Sequence, residues 1–164
     1  MLENAAMRRI PLRLSKLLLD RKNVALLRLL QGDPRMSISE LARRVGISAP
    51  TARERVARLE EAGVIKGWHM EVDAVALGYP VLAFVRVRPI PGELHKIAEV
   101  AGRIPQVIEC HRVTGEDCFI MQVRFVAIDE LDGVVDRFLA HGQTTTSLVQ
   151  STPVPLRDLP PPLS

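Results

Sequence analysis

The 164-residue chain lacks the features that would place it among secreted or membrane proteins. Its two cysteines, Cys110 and Cys118, form no CxxC motif, which argues against a disulfide framework and indicates free thiols in a reducing cytoplasm. No apolar run approaches the roughly 18 residues of a membrane span. The basic N-terminus breaks its apolar run with charges and has no small-residue cleavage site, so no signal peptide is predicted. We therefore expect a cytoplasmic protein without a membrane partner.

Motifs that carry catalysis or hold a cofactor are also missing. The four histidines are scattered, and none lies at metal-ligand spacing from another: His69, His95, His111 and His141. Cys110 and His111 are neighbours on a predicted strand, so their side chains point to opposite faces and form no dyad. Because no glycine-rich phosphate loop or paired-carboxylate motif occurs either, the sequence predicts no enzyme, no cofactor and no metal site.

Positive charge is concentrated in the first half of the chain. Residues 1–73 carry 14 lysines and arginines against 9 aspartates and glutamates, whereas residues 74–164 carry 8 against 10. A basic front half joined to a slightly acidic back half indicates that only the front half faces a polyanion.

Residues 17–66 predict a helix-turn-helix. Apolar residues spaced for one helical face give a first helix from Leu17 to Leu30. Ser37 and Glu40 form an S-x-x-E capping box, so a short second helix starts there and ends before Gly46. A third helix follows this glycine turn, and the spacing of the three helices is that of a DNA-reading motif.

The third helix has Ser48 as its predicted cap and Gly63 as its stop. Its inward stripe is formed by Ala52, Val56 and Leu59. The N-terminal half, which meets base edges in a helix-turn-helix, has two arginines and one glutamate, while further glutamates fall in the last turn. Two arginines on the second helix add positive charge for a phosphate backbone. The candidate DNA-binding residues are Ser37, Arg43, Arg44, Ser48, Ala49, Pro50, Thr51, Arg53, Glu54, Arg55 and Arg58.

The remaining residues predict a second domain and its connections. Residues 67–79 indicate a linker with a short wing strand, and residues 80–153 alternate strand and helix patterns in the order βαββαβ. Residues 154–164 are a proline-rich tail, and residues 1–16 are an N-terminal extension. The predicted fold class is α+β: a winged helix-turn-helix of three helices plus a short strand, followed by a ferredoxin-like effector and oligomerisation domain.

The stretch LARRVGISAPTARERVARLEEAGVIKGW closely resembles the helix-turn-helix of the leucine-responsive/asparagine-responsive (Lrp/AsnC) transcription factors. VIECHRVTGEDCFIMQVRF and GQTTTSLVQSTPV resemble that family's strand-turn-strand and last effector-domain strand. The resemblance implies a sequence-specific regulator of double-stranded DNA. It also implies homodimers built through the C-terminal sandwich that often assemble into octamers, as tetramers of dimers.

The resemblance further implies that an amino acid or related small molecule binds near the interfaces between dimers. Such an effector needs backbone N–H groups or hydroxyls for its carboxylate and an acceptor for its ammonium group. A glycine turn and the run QTTT supply these groups. The candidate effector-binding residues are Gly115, Glu116, Asp117, Cys118, Phe119, Gln143, Thr144, Thr145 and Thr146.

The sequence departs from the family pattern at three positions. Asn23 stands where members commonly carry Asp, Trp68 replaces a frequent Tyr, and Cys118 takes the place of a common Asp in the turn. The alternatives to a regulator are an effector-binding ferredoxin-like interaction module and a small enzyme, both without DNA function.

Overall fold

The structure, a computed structural model, describes residues 18–161 of the chain. These form two compact units: residues 18–70 with 156–161, the helical unit, and residues 71–155, the sandwich unit. The N-terminal extension predicted for residues 1–16 and the last three residues of the tail lie outside the described part. Within that part, no helix has the length and apolar character that crossing a membrane requires.

The helical unit contains α1 (Arg21–Gly32), α2 (Ile38–Val45) and α3 (Ala49–Glu61). Each helix begins after a side chain that accepts a hydrogen bond from a backbone N–H three residues on, namely Asp20, Ser37 and Ser48. Such a cap satisfies one of the amides that the first turn leaves without an intrahelical partner. The prediction of α2 and α3 from their serine caps is confirmed.

The turn between α2 and α3 is held at both ends. Gly46 has φ of 69°, a left-handed conformation that favours glycine, and Ile47 N–H donates to the carbonyl of Ala42 at 3.0 Å. Lys22 of α1 reaches across and donates from Nζ to the carbonyl oxygen of Val45 at 2.6 Å. A cation at the C-terminus of α2 also suits the helix dipole.

The capping box predicted for α2 is only half formed. Ser37 Oγ accepts from Glu40 N–H at 3.2 Å, as expected. The Glu40 carboxylate does not return to the backbone of Ser37 and binds Arg43 and Arg44 instead. Two arginines on the same helix face offer the carboxylate charge-assisted hydrogen bonds, which are stronger than one bond to a neutral amide.

An apolar core joins the three helices. It consists of residues that are at most 7% exposed: Leu26, Leu30, Leu41, Val45 and Val56. Ala52 and Leu59 of α3 are also fully buried, so the predicted inward stripe of this helix is confirmed. The stripe leaves the opposite side of α3 facing solvent.

The short wing strand predicted within residues 67–79 is not formed. The segment makes no strand ladder with any described residue. Instead Asp73 Oδ1 accepts from Val75 N–H at 2.8 Å, and Tyr79 N–H donates to the carbonyl of Ala74 at 2.8 Å, which makes a turn. A strand needs a neighbouring strand for its backbone hydrogen bonds, and β-prone residues alone do not provide one.

The sandwich unit follows the predicted βαββαβ order and confirms the ferredoxin-like fold. Its elements are β1 (Val81–Pro89), α4 (Leu94–Ala101), β2 (Val107–Arg112), β3 (Phe119–Phe125), α5 (Glu130–Leu139) and β4 (Gly142–Leu148). The sheet is antiparallel with the order β2-β3-β1-β4. The first residue of β4, Gly142, has to be a glycine, because a Cβ at this position would lie 2.5 Å from the carbonyl oxygen of Arg88.

Strand alternation gives the sheet two different faces. Ala83, Val85 and Val87 of β1 are fully buried in a core that also includes Ile97 of α4 and Phe138 of α5. The residues between them on β1 lie on the opposite face, which we call the open face. It carries Phe84, Arg86 and Arg88.

The remaining predicted features are local. Cys110 and Cys118 are free thiols, as expected from their spacing. The proline-rich tail has no helix or strand up to residue 161, where the described part ends. Gln31 of α1 donates from Nε2 to the carbonyl of Leu159 in this tail at 2.9 Å.

Candidate DNA interface and effector site

The start of α3 presents small and polar groups to solvent. Ser48 and Pro50 are exposed, and Ala49 and Thr51 are half-buried. Ser48 Oγ accepts from Thr51 N–H at 3.2 Å and lies 2.7 Å from Thr51 Oγ1, so the two hydroxyls form one hydrogen-bonded pair. This end of the helix also carries the positive end of the dipole, which favours an anion such as a phosphate.

Three arginines on α3 have three different environments. Arg53 is exposed and has no ion pair among residues 18–161. Arg58 donates from Nη2 to Glu54 Oε1 at 2.5 Å, one helical turn away, and both side chains remain mostly in solvent. Arg55 is the least exposed, because its guanidinium turns towards α1.

Arg55 binds two side chains at the start of α1. Its Nη1 donates to Asp20 Oδ2 at 2.7 Å and to Asn23 Oδ1 at 2.9 Å. The sequence predicts that Arg55 faces DNA, because its helical position shows only that it borders the apolar stripe of α3. Helical periodicity does not show which other element packs beside the apolar stripe of α3.

The arginines of α2 share one carboxylate. Arg43 donates to Glu40 through two nitrogens at 2.7 and 2.8 Å, and Arg44 Nε donates to Glu40 Oε1 at 2.6 Å. The pKa of Glu40 is lowered to about 2, chiefly by the hydrogen bonds that Arg43 donates and secondly by the one from Arg44. The same hydrogen bonds to Glu40 raise the pKa of Arg43. Both guanidiniums are exposed and keep donors that a phosphate oxygen could accept.

The turn between β2 and β3 is closed by one backbone hydrogen bond and is otherwise open. Val113 N–H donates to the carbonyl of Cys118 at 2.8 Å, and Gly115 has φ of 111°. The amides of Gly115, Glu116 and Asp117 donate to no atom of the described residues. Three amides in one short turn thus keep hydrogen-bond donors that a carboxylate could accept from.

Two arginines that sequence reasoning missed face this turn. Arg86 Nη1 lies 3.7 Å from Asp117 Oδ2, and Arg88 Nη2 pairs with Glu116 Oε2. Both arginines belong to the open face of β1, and the alternation in FVRVR was the available signal for their shared orientation. The turn therefore has cations and anions at its edge, as well as its exposed amides.

The pleat divides the predicted polar run of β4 between two faces. Gln143 and Thr145 pair with Arg88 and Arg86, so they share the open face with the charged cluster. Thr144 and Thr146 pair with the buried residues Val87 and Val85 and turn towards the helices.

Phe119 is 3% exposed in the core of the sandwich unit, so its side chain does not face the turn. Cys118 is half-buried, and its Sγ lies 3.6 Å from the carbonyl oxygen of Gly115, within the turn itself. Of the nine predicted effector residues, the structure therefore brings five together on one side: Gly115, Glu116, Asp117, Gln143 and Thr145.

A separate groove of about 500 Å³ lies elsewhere in the sandwich unit. Its lining includes Val72, Leu77, Tyr79, Ile108 of β2 and Arg124, whose guanidinium donates to the carbonyl of Tyr79 at 3.3 Å. None of the predicted effector residues lines it. Among residues 18–161 no group of three His, Cys, Asp or Glu side chains could hold a metal ion.

Two family models match the chain in the order of its two units. A winged helix-turn-helix DNA-binding model matches residues 19–66, and an Lrp/AsnC ligand binding domain model matches residues 82–159. An HTH-type transcriptional regulator of Bacillus subtilis, YezC, is 34% identical over 134 residues, which span 82% of this chain and 95% of that protein. The chain belongs to the Lrp/AsnC family.

Other relatives agree with this membership. The LrpA regulator of Mycobacterium tuberculosis is 31% identical over 77% of this chain and 87% of its own length. The leucine-responsive regulatory protein of Rhizobium meliloti is 43% identical over 107 residues, which span 63% of this chain and 69% of that protein.

Solved structures of transcriptional regulators have the same fold. LrpC of Bacillus subtilis aligns with a TM-score of 0.77 at 27% identity, over 82% of this chain and 96% of that one. A transcriptional regulator of Neisseria meningitidis solved with L-methionine aligns with a TM-score of 0.80 at 24% identity, over 87% of this chain and 96% of that one. The chain is thus a DNA-binding transcriptional regulator with a ligand-binding domain, and it belongs to a family of regulators rather than enzymes.

Proposed function

We propose that this Lrp/AsnC member is a homodimer, assembled further into an octamer, that reads double-stranded DNA through the first two turns of α3. An amino acid bound at the turn between β2 and β3 would change its assembly or its DNA affinity. The observation that carries the DNA part is the exposed start of α3, where Arg53 extends without an ion-pair partner in the described chain.

Within α3, Ser48, Pro50, Thr51 and Arg53 are the groups that we assign to base edges. They are small or extended side chains at the N-terminal end, which is the end that a helix-turn-helix inserts into the major groove. Arg53 can donate two hydrogen bonds to one guanine, the commonest specific contact in protein–DNA complexes. Ala49 would contribute its methyl group, and Glu54 would accept from a base amine.

The phosphate contacts are assigned to the exposed arginines beside this helix and to the hydroxyl that begins α2. They are Arg43, Arg44, Arg58 and Ser37. Each arginine in this set already pairs with a glutamate, but surface ion pairs of this kind contribute only about 0–1 kcal/mol and yield readily to a phosphate. These residues fix position and supply affinity without reading sequence.

The experiment compares Arg53→Ala with Arg43→Ala on a duplex selected by the wild-type protein and on a scrambled duplex. Arg53→Ala should weaken binding to the selected duplex by about 1–3 kcal/mol and relax selectivity at one base pair. Arg43→Ala should weaken binding to both duplexes equally and reduce the salt dependence. Wild-type affinity and selectivity in Arg53→Ala would remove this end of α3 from the groove.

A dimer is proposed because one helix-turn-helix buries too little surface for tight specific binding. Two copies of α3 roughly 34 Å apart, or a multiple of that distance, would match a pseudo-palindromic site. Strand β1 and the end of β4 are the dimerising elements in this proposal, since Phe84 on the open face of β1 and Leu148 at the end of β4 are exposed. Light scattering at micromolar concentration tests it, and a monomer there would end the model.

The effector part of the proposal rests on the polar groups around Gly115. Its free amides would bind the effector carboxylate, helped by Arg86 and Arg88, and Asp117 or Glu116 would accept from the ammonium group. Gln143 and Thr145 complete the set from β4. The relative from Neisseria meningitidis binds L-methionine, which supports an amino acid as the ligand class.

Thermal-shift measurements with the twenty amino acids identify the effector, because a ligand that binds only the folded state raises the unfolding temperature. Calorimetry with the stabilising amino acid then compares wild type with Asp117→Asn. Loss of affinity in Asp117→Asn supports the assigned site, and equal affinity in wild type, Asp117→Asn and Glu116→Gln would move the effector to another surface.

A further inference from the structure

Arg55 stands apart from the arginines that face solvent on α2 and α3. We propose that Arg55 is a positioning residue: its guanidinium fixes α3 against the first turn of α1 and so sets the orientation in which α3 enters DNA. In this proposal it contacts neither a base nor a phosphate. The inference rests on the proposed reading of DNA by α3, and it reassigns one residue that the sequence placed at the interface.

The hydrogen bonds of Arg55 fix the direction in which its guanidinium points. One nitrogen, Nη1, donates to a carboxylate oxygen of Asp20 at 2.7 Å and to the amide oxygen of Asn23 at 2.9 Å. The Arg55 side chain is 29% exposed, against 66% for Arg58 on the same helix. Two acceptors at the start of α1 therefore hold the Arg55 guanidinium in place. The helical periodicity of α3 shows only that this side chain lies at the edge of the core.

The acceptors are themselves fixed by the backbone of α1. Asp20 is the cap of this helix, and its other oxygen accepts from Asn23 N–H at 2.7 Å. Asn23 is 6% exposed, and its Nδ2 donates to the carbonyl of Leu18 at 2.8 Å. Asp20 and Asn23 are thus each held by a backbone group in or just before the first turn of α1, so the guanidinium meets a preformed site.

The charge of Asp20 is maintained in this setting. Burial acts to raise its pKa, but the hydrogen bonds from Asn23 N–H and from Arg55, with the charge of Arg55, together hold the pKa below its usual value. The pair therefore stays ionised at neutral pH, and the hydrogen bond between α1 and α3 is charge-assisted.

The location of the network explains why it would affect DNA reading. The apolar contacts of Val56 and Leu59 hold α3 in the core, but such contacts have little directionality. A hydrogen-bonded guanidinium is directional, and it lies one turn beyond Thr51 and two residues beyond Arg53. Loosening it would let α3 rotate slightly and would misalign several base contacts together.

The test compares three variants of the full-length protein: Asp20→Asn, Arg55→Met and Asp33→Asn. Asn caps a helix as well as Asp does, so Asp20→Asn removes the charge and keeps the cap. Asp33→Asn is the matched control, because it removes one carboxylate from the other end of α1 outside the network. Fluorescence anisotropy measures binding to a duplex selected by the wild type and to a scrambled duplex, at a temperature where circular dichroism shows all variants folded.

We expect Asp20→Asn and Arg55→Met each to weaken binding to the selected duplex about tenfold or more, since the first loses one charge-assisted hydrogen bond and the second loses two. The loss should be spread over all base pairs of the site. The salt slope of Arg55→Met should equal that of the wild type, because Arg55 would neutralise no phosphate. Asp33→Asn should bind as the wild type does.

Other results would overturn the inference. If Arg55 reads a base, Asp20→Asn frees it and binding tightens, while Arg55→Met loses discrimination at one base pair only. If the network serves stability alone, both variants unfold at lower temperature but bind the selected duplex with wild-type affinity. Failure of the DNA-reading proposal has a separate signature, since Arg53→Ala would then bind like the wild type whatever Asp20→Asn does.

Discussion

The helical unit and the sandwich unit both place arginines beside carboxylates, but they hold the carboxylates differently. Of the partners of Arg55, Asp20 accepts from the backbone N–H of Asn23 in α1, and Asn23 donates to the backbone carbonyl of Leu18 just before α1. Asp117 and Glu116, the partners of Arg86 and Arg88, stand on an open turn, where Glu116 is 83% exposed. The same pair chemistry thus gives a fixed contact between two helices in one unit and a displaceable pair in the other.

The difference matters for ligand binding. A ligand can replace one partner of an ion pair only where the side chains can move or where they keep hydrogen-bond donors that are not used. A turn whose three amides donate to no residue within 18–161, and whose charges are exposed to solvent, can rearrange around a zwitterion at low free-energy cost. The network at Arg55 offers no such freedom. The comparison predicts that changes in the turn alter ligand response, whereas changes at Arg55 alter stability and DNA reading.

The largest effect is expected from Gly115→Val. Gly115 has φ of 111°, which a β-branched residue rarely adopts, so the turn must change shape although no heavy atom lies within 4 Å of an added Cβ. Effector affinity should fall by roughly tenfold to a hundredfold, the effect of about 1–3 kcal/mol of backbone strain. Calorimetry with the stabilising amino acid measures the loss, while effector-free DNA binding should stay close to the wild-type value.

The matched control for Gly115→Val is Gly92→Val. Gly92 also has a positive φ, 90°, and no heavy atom within 4 Å of an added Cβ, but it lies outside the proposed site. It should lower stability without changing the affinity for the effector. Equal effector affinity in wild type and folded Gly115→Val would show that the effector binds elsewhere.

The next effect compares the two kinds of ion pair directly. Arg55→Met should lower the free energy of unfolding of the helical unit by about 1–3 kcal/mol, since it removes two hydrogen bonds and leaves Asn23 buried without this donor. Arg86→Met should cost the sandwich unit less than about 1 kcal/mol, because its pair with Asp117 is 3.7 Å long and exposed.

Urea unfolding measures this comparison. The fluorescence of Trp68, the single tryptophan, reports the helical unit because its Nε1 donates to Glu60 of α3 at 2.9 Å. Far-UV circular dichroism follows the whole chain. If Arg86→Met proves as destabilising as Arg55→Met, the distinction between fixed and displaceable pairs does not hold.

A smaller effect separates the threonines of β4. Thr145→Val should weaken effector binding by about 1 kcal/mol, the net value of one hydrogen bond, since Thr145 shares the open face with Arg86. Thr146→Val should leave it unchanged, because Thr146 pairs with buried Val85 and faces the helices. Calorimetry measures the effector affinity of both variants. Equal losses of affinity would mean that the face of β4 on which a threonine lies does not determine whether it contacts the effector.

The smallest effect is a pH dependence at Asp20. Because its pKa is lowered in the folded state, the ionised form stabilises the protein above the ordinary value of 3.8. This contribution is lost as pH falls through the lowered folded pKa. The stability difference between wild type and Asp20→Asn should therefore be largest near neutral pH and should shrink below pH 4, as urea titrations at several pH values would measure.

Local sequence determined the elements of both units. Ser37 and Ser48 are capping side chains whose partners lie three residues away, so the starts of α2 and α3 follow from the chain itself. The alternation of β1 likewise places Val85 and Val87 on the face opposite Arg86 and Arg88, and the structure buries both valines. The short strand expected in residues 67–79 is not formed within the described chain, because it depends on a partner strand that local composition does not supply.

Tertiary structure alone decided which charged groups meet. Arg55 lies 32 residues from Asn23, and their contact depends on how α1 and α3 pack against each other. Arg86 faces Asp117 only because β1 pairs with β3 in one register. Periodicity gives the face on which a side chain lies, but the partner across that face is set by packing between elements distant in sequence, and no local pattern carries that information.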